Sequence, residues 1–216
     1  MSASEQLRQL IVRLGGEYDS HDLTRLQVPD SPASRAAEAL AAEGQSESLT
    51  NHGLRSYGFG ALLGISEGRS FDAEAFYVAA LLHDIGLMPA FDRGGRFEDD
   101  GGAVTHELLV EVGWEPARAA RAGKAVRDHW DGPENEDDVE SLLLAYGTSV
   151  DVSGRRLDAF SPAALDAFLA AAPRCGFKEH FVRLVEGKVA RGGDRHLEAV
   201  AQSGFAERIR STPFPD

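Results

Sequence analysis

The amino-acid sequence predicts an all-α protein. Ala, Leu, Glu and Arg, which favour helices, dominate the chain, whereas alternating runs of β-branched residues, which are typical of strands, are scarce. Serine and proline stand where helices would begin, and glycine stands where they would end. The 216 residues suit one large domain, and a hydrophobic fraction of 43% can supply its core. We expect a single helical bundle with extra N- and C-terminal helices.

Four helices are expected in the first part of the chain, with the bounds 4–14, 32–43, 48–64 and 71–83. Gly15 and Gly16 would end the first helix, and Ser31-Pro32 provides the cap and the first position of the second. The third helix contains internal glycines, which cost about 1 kcal/mol each in an exposed helix but let two helices pack closely. Ser70 would cap the fourth helix.

A polar loop is expected over residues 88–100. The helices expected after it cover residues 102–112, 116–129 and 139–152, a helix that begins at Ser161-Pro162, and residues 177–190 and 194–209. The acidic segment 131–138 is interpreted as a solvated loop, and the C-terminal tail STPFPD is expected to fray. We divide the chain into an N-terminal extension packed on the core (1–47), a core (48–155) and C-terminal helices (156–216) that complete the same domain.

Composition and charge exclude several classes of protein. A net charge of −13 repels a polyanion, so we expect no nucleic-acid partner, although a metal ion could still attract a small phosphate ester. The chain has no apolar run of membrane-spanning length and no secretory signal, so we expect a cytoplasmic location. The single cysteine, Cys175, excludes an internal disulfide and a cysteine-rich zinc site. A small molecule is the expected partner, and a homo-oligomer is compatible with the sequence.

Two ionisable residues, His83 and Asp84, end an apolar run in the sequence LLHDIGL. The same dipeptide occurs at His21 and Asp22 in the polar sequence YDSHDLTRL, so the dipeptide alone is uninformative. A buried neutral histidine with one hydrogen bond would explain His83. An ionised carboxylate, however, is rarely buried unless it is paired or bound to metal, and a helix C-terminus disfavours its charge. A divalent cation beside Asp84 would resolve both conflicts.

Two other residues have the same unusual placement. His52 lies on the inward stripe of its helix, in line with Phe59 and Leu63, and Asp151 follows the apolar sequence LLLAYGTSV. Two aspartates and two histidines that point towards a core call for a shared explanation. Imidazole and carboxylate ligands together suit Zn, Fe, Mn, Co or Ni, whereas calcium would take only oxygen ligands. These residues predict a transition-metal site.

The order of these residues resembles that of the HD-domain superfamily of metal-dependent phosphohydrolases and their relatives, over roughly residues 48–155. The sequences NHGLRSYGFG, ALLHDIGL, RFEDDGGA, VRDHWDG and SVDVSG are similar to the cyanamide hydratase-like branch of that superfamily. The resemblance implies four metal ligands, namely His52, His83, Asp84 and Asp151.

The resemblance also bears on the number of metal ions. Members with two metals carry further histidines after the His-Asp pair, and His129 matches the second of these positions. Glu98 and Asp99 stand at the first position, and His106 lies just beyond it. We therefore expect one divalent ion, zinc or iron in the first place, with manganese, cobalt or nickel as alternatives.

The expected chemistry uses a metal-bound water. The ion would lower the pKa of this water towards ~7 and polarise the bond under attack. Asp84 would both bind the ion and steer the nucleophile, while His129 or Glu98 would carry protons. Arg55, one turn after His52, would face the pocket or, alternatively, the solvent.

Three classes of function agree with these residues. The first is hydration or hydrolysis of a small non-phosphate substrate, which the resemblance makes nitrile-like or cyanamide-like. The second is hydrolysis of a nucleotide or another phosphomonoester, for which Arg93 and Arg96 would hold the phosphate. The third is a binding protein that kept the fold and lost activity, and the complete ligand set argues against it.

Overall fold

The computed structural model describes all 216 residues and consists of helices and loops. The α-helices are α1 Ala3–Leu14, α2 Ser20–Thr24, α3 Pro32–Gly44, α4 Glu47–Ser66, α5 Ala73–Leu82, α6 Phe97–Glu111, α7 Pro116–Asp128, α8 Val139–Ser153, α9 Pro162–Ala171, α10 Phe177–Arg191, α11 Arg195–Gln202 and α12 Phe205–Arg210. Short 3-10 helices cover Ile85–Leu87 and Leu157–Ala159. The predicted all-α fold is confirmed. None of the helices combines the length and the apolar character that crossing a membrane requires.

Helices α4 and α8 cross at the centre of the fold with almost nothing between their backbones. Gly60 of α4 lies against a backbone carbonyl of α8, and Gly147 of α8 lies against the carbonyl of Ser56. A Cβ atom at either glycine would overlap the facing carbonyl oxygen, so this close approach requires glycine at both positions. The contact brings His52 of α4 within hydrogen-bonding distance of Asp151 of α8.

The buried helix α5 carries the His-Asp pair at its end. Asp72, rather than the expected Ser70, caps the helix, because its carboxylate accepts a hydrogen bond of 3.1 Å from the backbone of the first turn. The chain then turns at Gly86, where a Cβ atom would overlap a backbone carbonyl oxygen of α6. This tight turn keeps His83 and Asp84 inside the protein, where they are 2% exposed.

Three further parts of the helix pattern differ from the expectation. Helix α6 begins at Phe97 instead of residue 102, because the carboxylate of Asp194 accepts a hydrogen bond of 3.0 Å from the Phe97 N–H. The segment between the expected helices 4–14 and 32–43, for which no helix was expected, contains the short helix α2, which begins at an aspartate cap. The expected helix 194–209 is divided into α11 and α12, because Gly204 adopts a left-handed conformation with φ 81°.

The C-terminal tail packs against the protein and is not frayed as expected. Phe214 is buried, and the guanidinium carbon of Arg174 lies 4.7 Å from the centre of its ring. The main hydrophobic core combines residues from α1, α3, α4, α5, α7, α8 and α9. A second apolar cluster joins Phe97 of α6 to Phe177 and Phe181 of α10 and to residues of α11 and α12. This second cluster lies beside the candidate site.

Replacing Gly147 by alanine should destabilise the protein by about 2–4 kcal/mol, because α4 and α8 must separate to admit the methyl group. The matched control is Gly16→Ala, since a Cβ atom at Gly16 meets no other atom within 4 Å. That variant should stay within about 0.5 kcal/mol of the parent protein. Urea denaturation followed by circular dichroism measures both values, and equal stability of the two variants would contradict the close helix contact.

Candidate metal centre

Four parts of the fold bring their polar side chains to one buried point. His52 belongs to α4, His83 and Asp84 follow α5, His129 follows α7, and Asp151 belongs to α8. These five residues are at most 4% exposed. The sequence-predicted residues therefore meet in space, although His52 and Asp151 stand 99 positions apart in the chain.

Each of the three histidine rings has its Nδ1 atom fixed by an acceptor. His52 Nδ1 lies 2.7 Å from Asp151 Oδ2, His83 Nδ1 lies 2.8 Å from the Ala80 carbonyl, and His129 Nδ1 lies 2.6 Å from the Val126 carbonyl. Carbonyl and carboxylate oxygens only accept hydrogen bonds, so the proton of each neutral ring sits on Nδ1. All three Nε2 atoms consequently present lone pairs.

These lone pairs converge on the carboxylate of Asp84. His83 Nε2 lies 3.1 Å from His52 Nε2 and 3.2 Å from Asp84 Oδ2. His52 Nε2 lies 3.6 Å from Asp84 Oδ2, and His129 Nε2 lies 3.9 Å from Asp84 Oδ1. Neither oxygen of Asp84 accepts a hydrogen bond, although both are buried. The centre is thus a group of acceptors without a donor, which is costly unless a positive charge lies among them.

The spacing of these atoms fits a bound divalent metal ion. Ligand atoms of His52, His83 and Asp84 all lie within 4.8 Å of one another. A tetrahedral zinc site with ligand bonds near 2.0 Å separates its ligand atoms by about 3.3 Å, close to the separations observed here. Two imidazoles and one carboxylate are a ligand set typical of transition metals. The unpartnered oxygens of Asp84 are the observation that a cation explains directly.

The pKa values agree with a carboxylate that faces two neutral imidazoles, those of His52 and His129, and that favours a proton on the third, His83. Burial lowers the pKa of His129 to about 3, and it also lowers the pKa of His52 in spite of the nearby Asp151. Burial opposes the charged form of Asp84, but His83 and its neighbours outweigh burial and hold the pKa of Asp84 at about 2. Burial likewise opposes a charged His83, yet the Asp84 charge raises its pKa. A proton on His83 is therefore the natural competitor of the metal ion.

Asp151 lies on the opposite side of His52 from Asp84. Its Oδ1 accepts hydrogen bonds from Arg55 Nε at 2.7 Å and from Arg174 Nη1 at 2.9 Å. Its Oδ2 accepts from His52 Nδ1 at 2.7 Å and from Arg55 Nη2 at 2.8 Å. All four acceptor positions of this carboxylate are therefore occupied by protein donors. The predicted ligand Asp151 contacts the centre through His52.

Arg55 faces neither the solvent nor the cavity. Its guanidinium is fully buried, forms two hydrogen bonds with Asp151 and donates to the carbonyl oxygens of Ala172 and Pro173. This differs from the expectation of a pocket residue, and the reason is the close approach of α4 and α8. Arg55 holds Asp151 in place and does not line the cavity.

Glu98, the other candidate for carrying protons, is not brought to the centre. It is 1% exposed and forms an ion pair of 2.9 Å with Arg96, which also binds Asp131. Burial raises the pKa of Glu98 in spite of this pairing. Of the catalytic candidates, only Asp84 and His129 line the cavity that opens above the centre.

This cavity has a volume of about 500 Å³. Its floor is formed by His52, His83, Asp84 and His129. Its apolar walls come from α8, from the residue after His129 and from the C-terminal helices, and they comprise Trp130, Val152, Phe181, Val200, Phe205 and Ile209. The C-terminal segment therefore shapes the space in which a substrate would lie.

The sequence analysis missed the contribution of the C-terminal segment to the centre. Arg174 binds Asp151, Phe177 packs on the ring of His52 at 4.5 Å between centroids, and Phe181 lies 5.9 Å from the same ring. Phe177 and Phe181 are four residues apart and therefore share one helix face. This spacing indicates that both rings are buried, but it does not indicate that they contact His52. No local signal in the sequence identified Arg174.

Comparison with known proteins agrees with this geometry. Residues 49–170, more than half of the chain, match the family described as the HD domain. Among curated proteins, none matches the chain.

Replacing Asp84 by asparagine should reduce the bound metal from about one equivalent to nearly none, because the ion loses its charged ligand. The chain provides a matched control, since Asp22 follows His21 just as Asp84 follows His83 but is only partly buried. The variant Asp22→Asn should keep its metal. Elemental analysis of protein purified without a metal-affinity step measures both contents.

The metal-free stability of the two variants completes this test. Because the pKa of Asp84 is lowered to about 2 by His83, the neutral amide loses this attraction and should destabilise the metal-free protein modestly, by about 1–2 kcal/mol at neutral pH, so the variant stays folded. Full metal content in a folded Asp84→Asn variant would contradict the assignment of the centre.

Proposed function

Because the chain belongs to the HD-domain family of metal-dependent hydrolases, we propose that it is a hydrolase or hydratase that uses one divalent transition-metal ion. The observation that supports this most strongly is the buried carboxylate of Asp84, which lacks a donor while three imidazole lone pairs face it. Zinc or iron suits this mixture of nitrogen and oxygen ligands, and manganese, cobalt and nickel are alternatives.

We propose that His52, His83 and Asp84 hold the ion. Such an ion lowers the pKa of water and polarises a bond under attack. His129 contributes a neutral ring whose Nε2 lone pair lines the cavity, while Val126 keeps the proton on Nδ1. Since the pKa of His129 is about 3, this ring accepts a hydrogen bond and orients water or substrate, and it is too weak a base to retain a proton at neutral pH.

Asp151 acts on the ion through His52 in this proposal. Its hydrogen bond to Nδ1 keeps the proton on that side of the ring, so that Nε2 is directed at the ion. Arg55 and Arg174 hold the Asp151 carboxylate with three further hydrogen bonds, which leaves it little freedom to turn towards the centre. Direct ligation by Asp151, as the family resemblance implies, is the alternative that a metal-affinity measurement decides.

The proposed substrate is a small organic molecule with a nitrile-like bond, and the first step adds water across that bond to give an amide. The resemblance to the cyanamide hydratase-like branch motivates this choice. The cavity of about 500 Å³ exceeds what a molecule of three heavy atoms such as cyanamide fills, so a larger nitrile fits better. A cytoplasmic location, the lack of a nucleic-acid partner and a homo-oligomeric state remain predictions from the sequence.

The charges around the site favour this reaction over phosphomonoester hydrolysis. The arginines expected to hold a phosphate are paired with acids, because Arg93 binds Glu107 and Arg96 binds Glu98 and Asp131. Neither arginine lines the cavity. A phosphoryl group at the metal would therefore lack the clamp expected from these two arginines, and the arginines that do line the cavity, Arg155 and Arg208, are exposed, unlike the buried floor.

The metal-loaded protein should convert nitriles to amides and leave p-nitrophenyl phosphate intact. In the variant His129→Gln, kcat should fall by about 10–100-fold without loss of metal, because the flexible amide side chain does not hold its acceptor oxygen where the imidazole Nε2 stood. Amide formation is measured by mass spectrometry, and metal content is measured in the same samples. Hydrolysis of the phosphate ester without nitrile turnover would support the phosphohydrolase alternative instead.

Replacing Asp151 by asparagine should weaken metal affinity by about 10–100-fold while the protein still binds one equivalent at saturation. The amide oxygen of Asn can still accept the hydrogen bond from His52 Nδ1, but the negative charge that keeps the ring proton on Nδ1 and directs Nε2 at the ion is lost. Competition with a chelator of known affinity measures the change, with Asp84→Asn as the comparison. A folded Asp151→Asn variant that binds no metal at saturation would establish Asp151 as a direct ligand.

A further inference from the structure

The cavity above the metal centre has an unusual charge for this chain. The cationic side chains that line it are Arg155 and Arg208, and its single acidic residue is Asp84, which the proposed metal ion would neutralise. The chain as a whole carries a net charge of −13. The mouth of the cavity is therefore a local positive region on an otherwise acidic protein.

Both arginines lie at the open end of the cavity. Their residues are exposed, whereas the floor residues are nearly inaccessible to solvent. Arg155 follows Gly154, whose left-handed conformation ends α8, and Arg208 stands on α12. The two side chains thus approach the mouth from two different parts of the fold.

Neither arginine is neutralised by the protein. Arg208 donates to the carbonyl and hydroxyl oxygens of Ser203, and no carboxylate lies within ion-pair distance of Arg208 or Arg155. Arg210, on the same helix, instead forms two hydrogen bonds with Glu179 at 2.6 and 3.0 Å. Arg155 and Arg208 consequently keep donors for an anion that enters the cavity.

An aromatic wall extends along the cavity between its floor and its mouth. The ring of Phe205 lies 5.7 Å from that of Trp130 and 5.8 Å from that of Phe181. Trp130 follows the floor residue His129 directly in the chain, and Phe205 begins α12, which carries Arg208. The cavity therefore combines buried polar residues at its floor, an aromatic wall and exposed arginines.

We propose that the substrate carries an anionic group that Arg155 and Arg208 bind at the mouth, joined by an apolar body to the reacting group at the floor. The anion, a carboxylate or a phosphate, does not react. It orients the molecule and attracts it to an acidic protein. The identity of the reacting group of the substrate rests on the function proposed above. The anion site rests only on the residues that line the cavity.

Isothermal titration of the metal-loaded protein tests the site with three probes, 3-phenylpropionate, phenyl phosphate and the neutral 3-phenylpropan-1-ol. At low ionic strength the anions should bind about tenfold more tightly than the alcohol. This preference should fall to about twofold or less in the double variant Arg155→Gln/Arg208→Gln. It should persist in Arg210→Gln, which changes a neighbouring arginine that does not line the cavity. The anion that binds more tightly identifies the group that the site prefers.

The variant Asp84→Asn, which lacks a charged metal ligand, excludes binding of the anion to the metal itself. It should keep the preference for anions if the arginines hold them. Equal binding of anion and alcohol, an unchanged preference in the double arginine variant, or loss of the preference in Asp84→Asn would each overturn the inference. Metal content in the same samples tests the proposed function separately. A wild-type protein that binds no metal but still prefers anions would contradict the proposed metal-dependent function and leave the anion site supported.

Discussion

The buried carboxylate of Asp84 is the constraint on which the rest of the structure depends. A negative charge held away from water without a hydrogen-bond donor is costly, and a positive charge at the centre, either a proton on His83 or a metal ion, offsets that cost. The fold maintains this arrangement with close backbone contacts, since glycines let α4 meet α8 and let the turn after α5 meet α6. This loss of folding stability is explained if the centre binds a cation, because the ligands are then in position before the ion binds.

The hydrogen bonds behind the centre determine which atoms face it. Backbone carbonyls fix the rings of His83 and His129, whereas the ring of His52 depends on Asp151. Asp151 in turn depends on two arginines, and one of them, Arg174, comes from the C-terminal segment. The same segment supplies Phe181 and Phe205 of the aromatic wall and one of the two arginines at the mouth of the cavity. The C-terminal helices therefore complete both the support of the centre and the space for a substrate.

The sequence predicted the parts of this arrangement that depend on local patterns. Ionisable residues at the ends of apolar helices indicated His52, His83, Asp84 and Asp151, and glycines inside a helix indicated close packing. The early start of α6 was missed because its polar first turn resembles a loop, and the cap that stabilises it, Asp194, is distant in the chain. The face of His52 that Asp151 contacts and the role of Arg174 depend on tertiary geometry, so no local pattern could reveal them.

Anomalous X-ray diffraction from a crystal of the metal-loaded protein, recorded at the absorption edge of the metal, tests the central claim most directly. The account predicts one strong peak at about 2.0–2.2 Å from His52 Nε2, His83 Nε2 and an oxygen of Asp84. It also predicts that Asp151 keeps its hydrogen bonds to His52 and to both arginines. A saturated crystal with no peak between these three side chains, or with the metal bound elsewhere, would contradict the account.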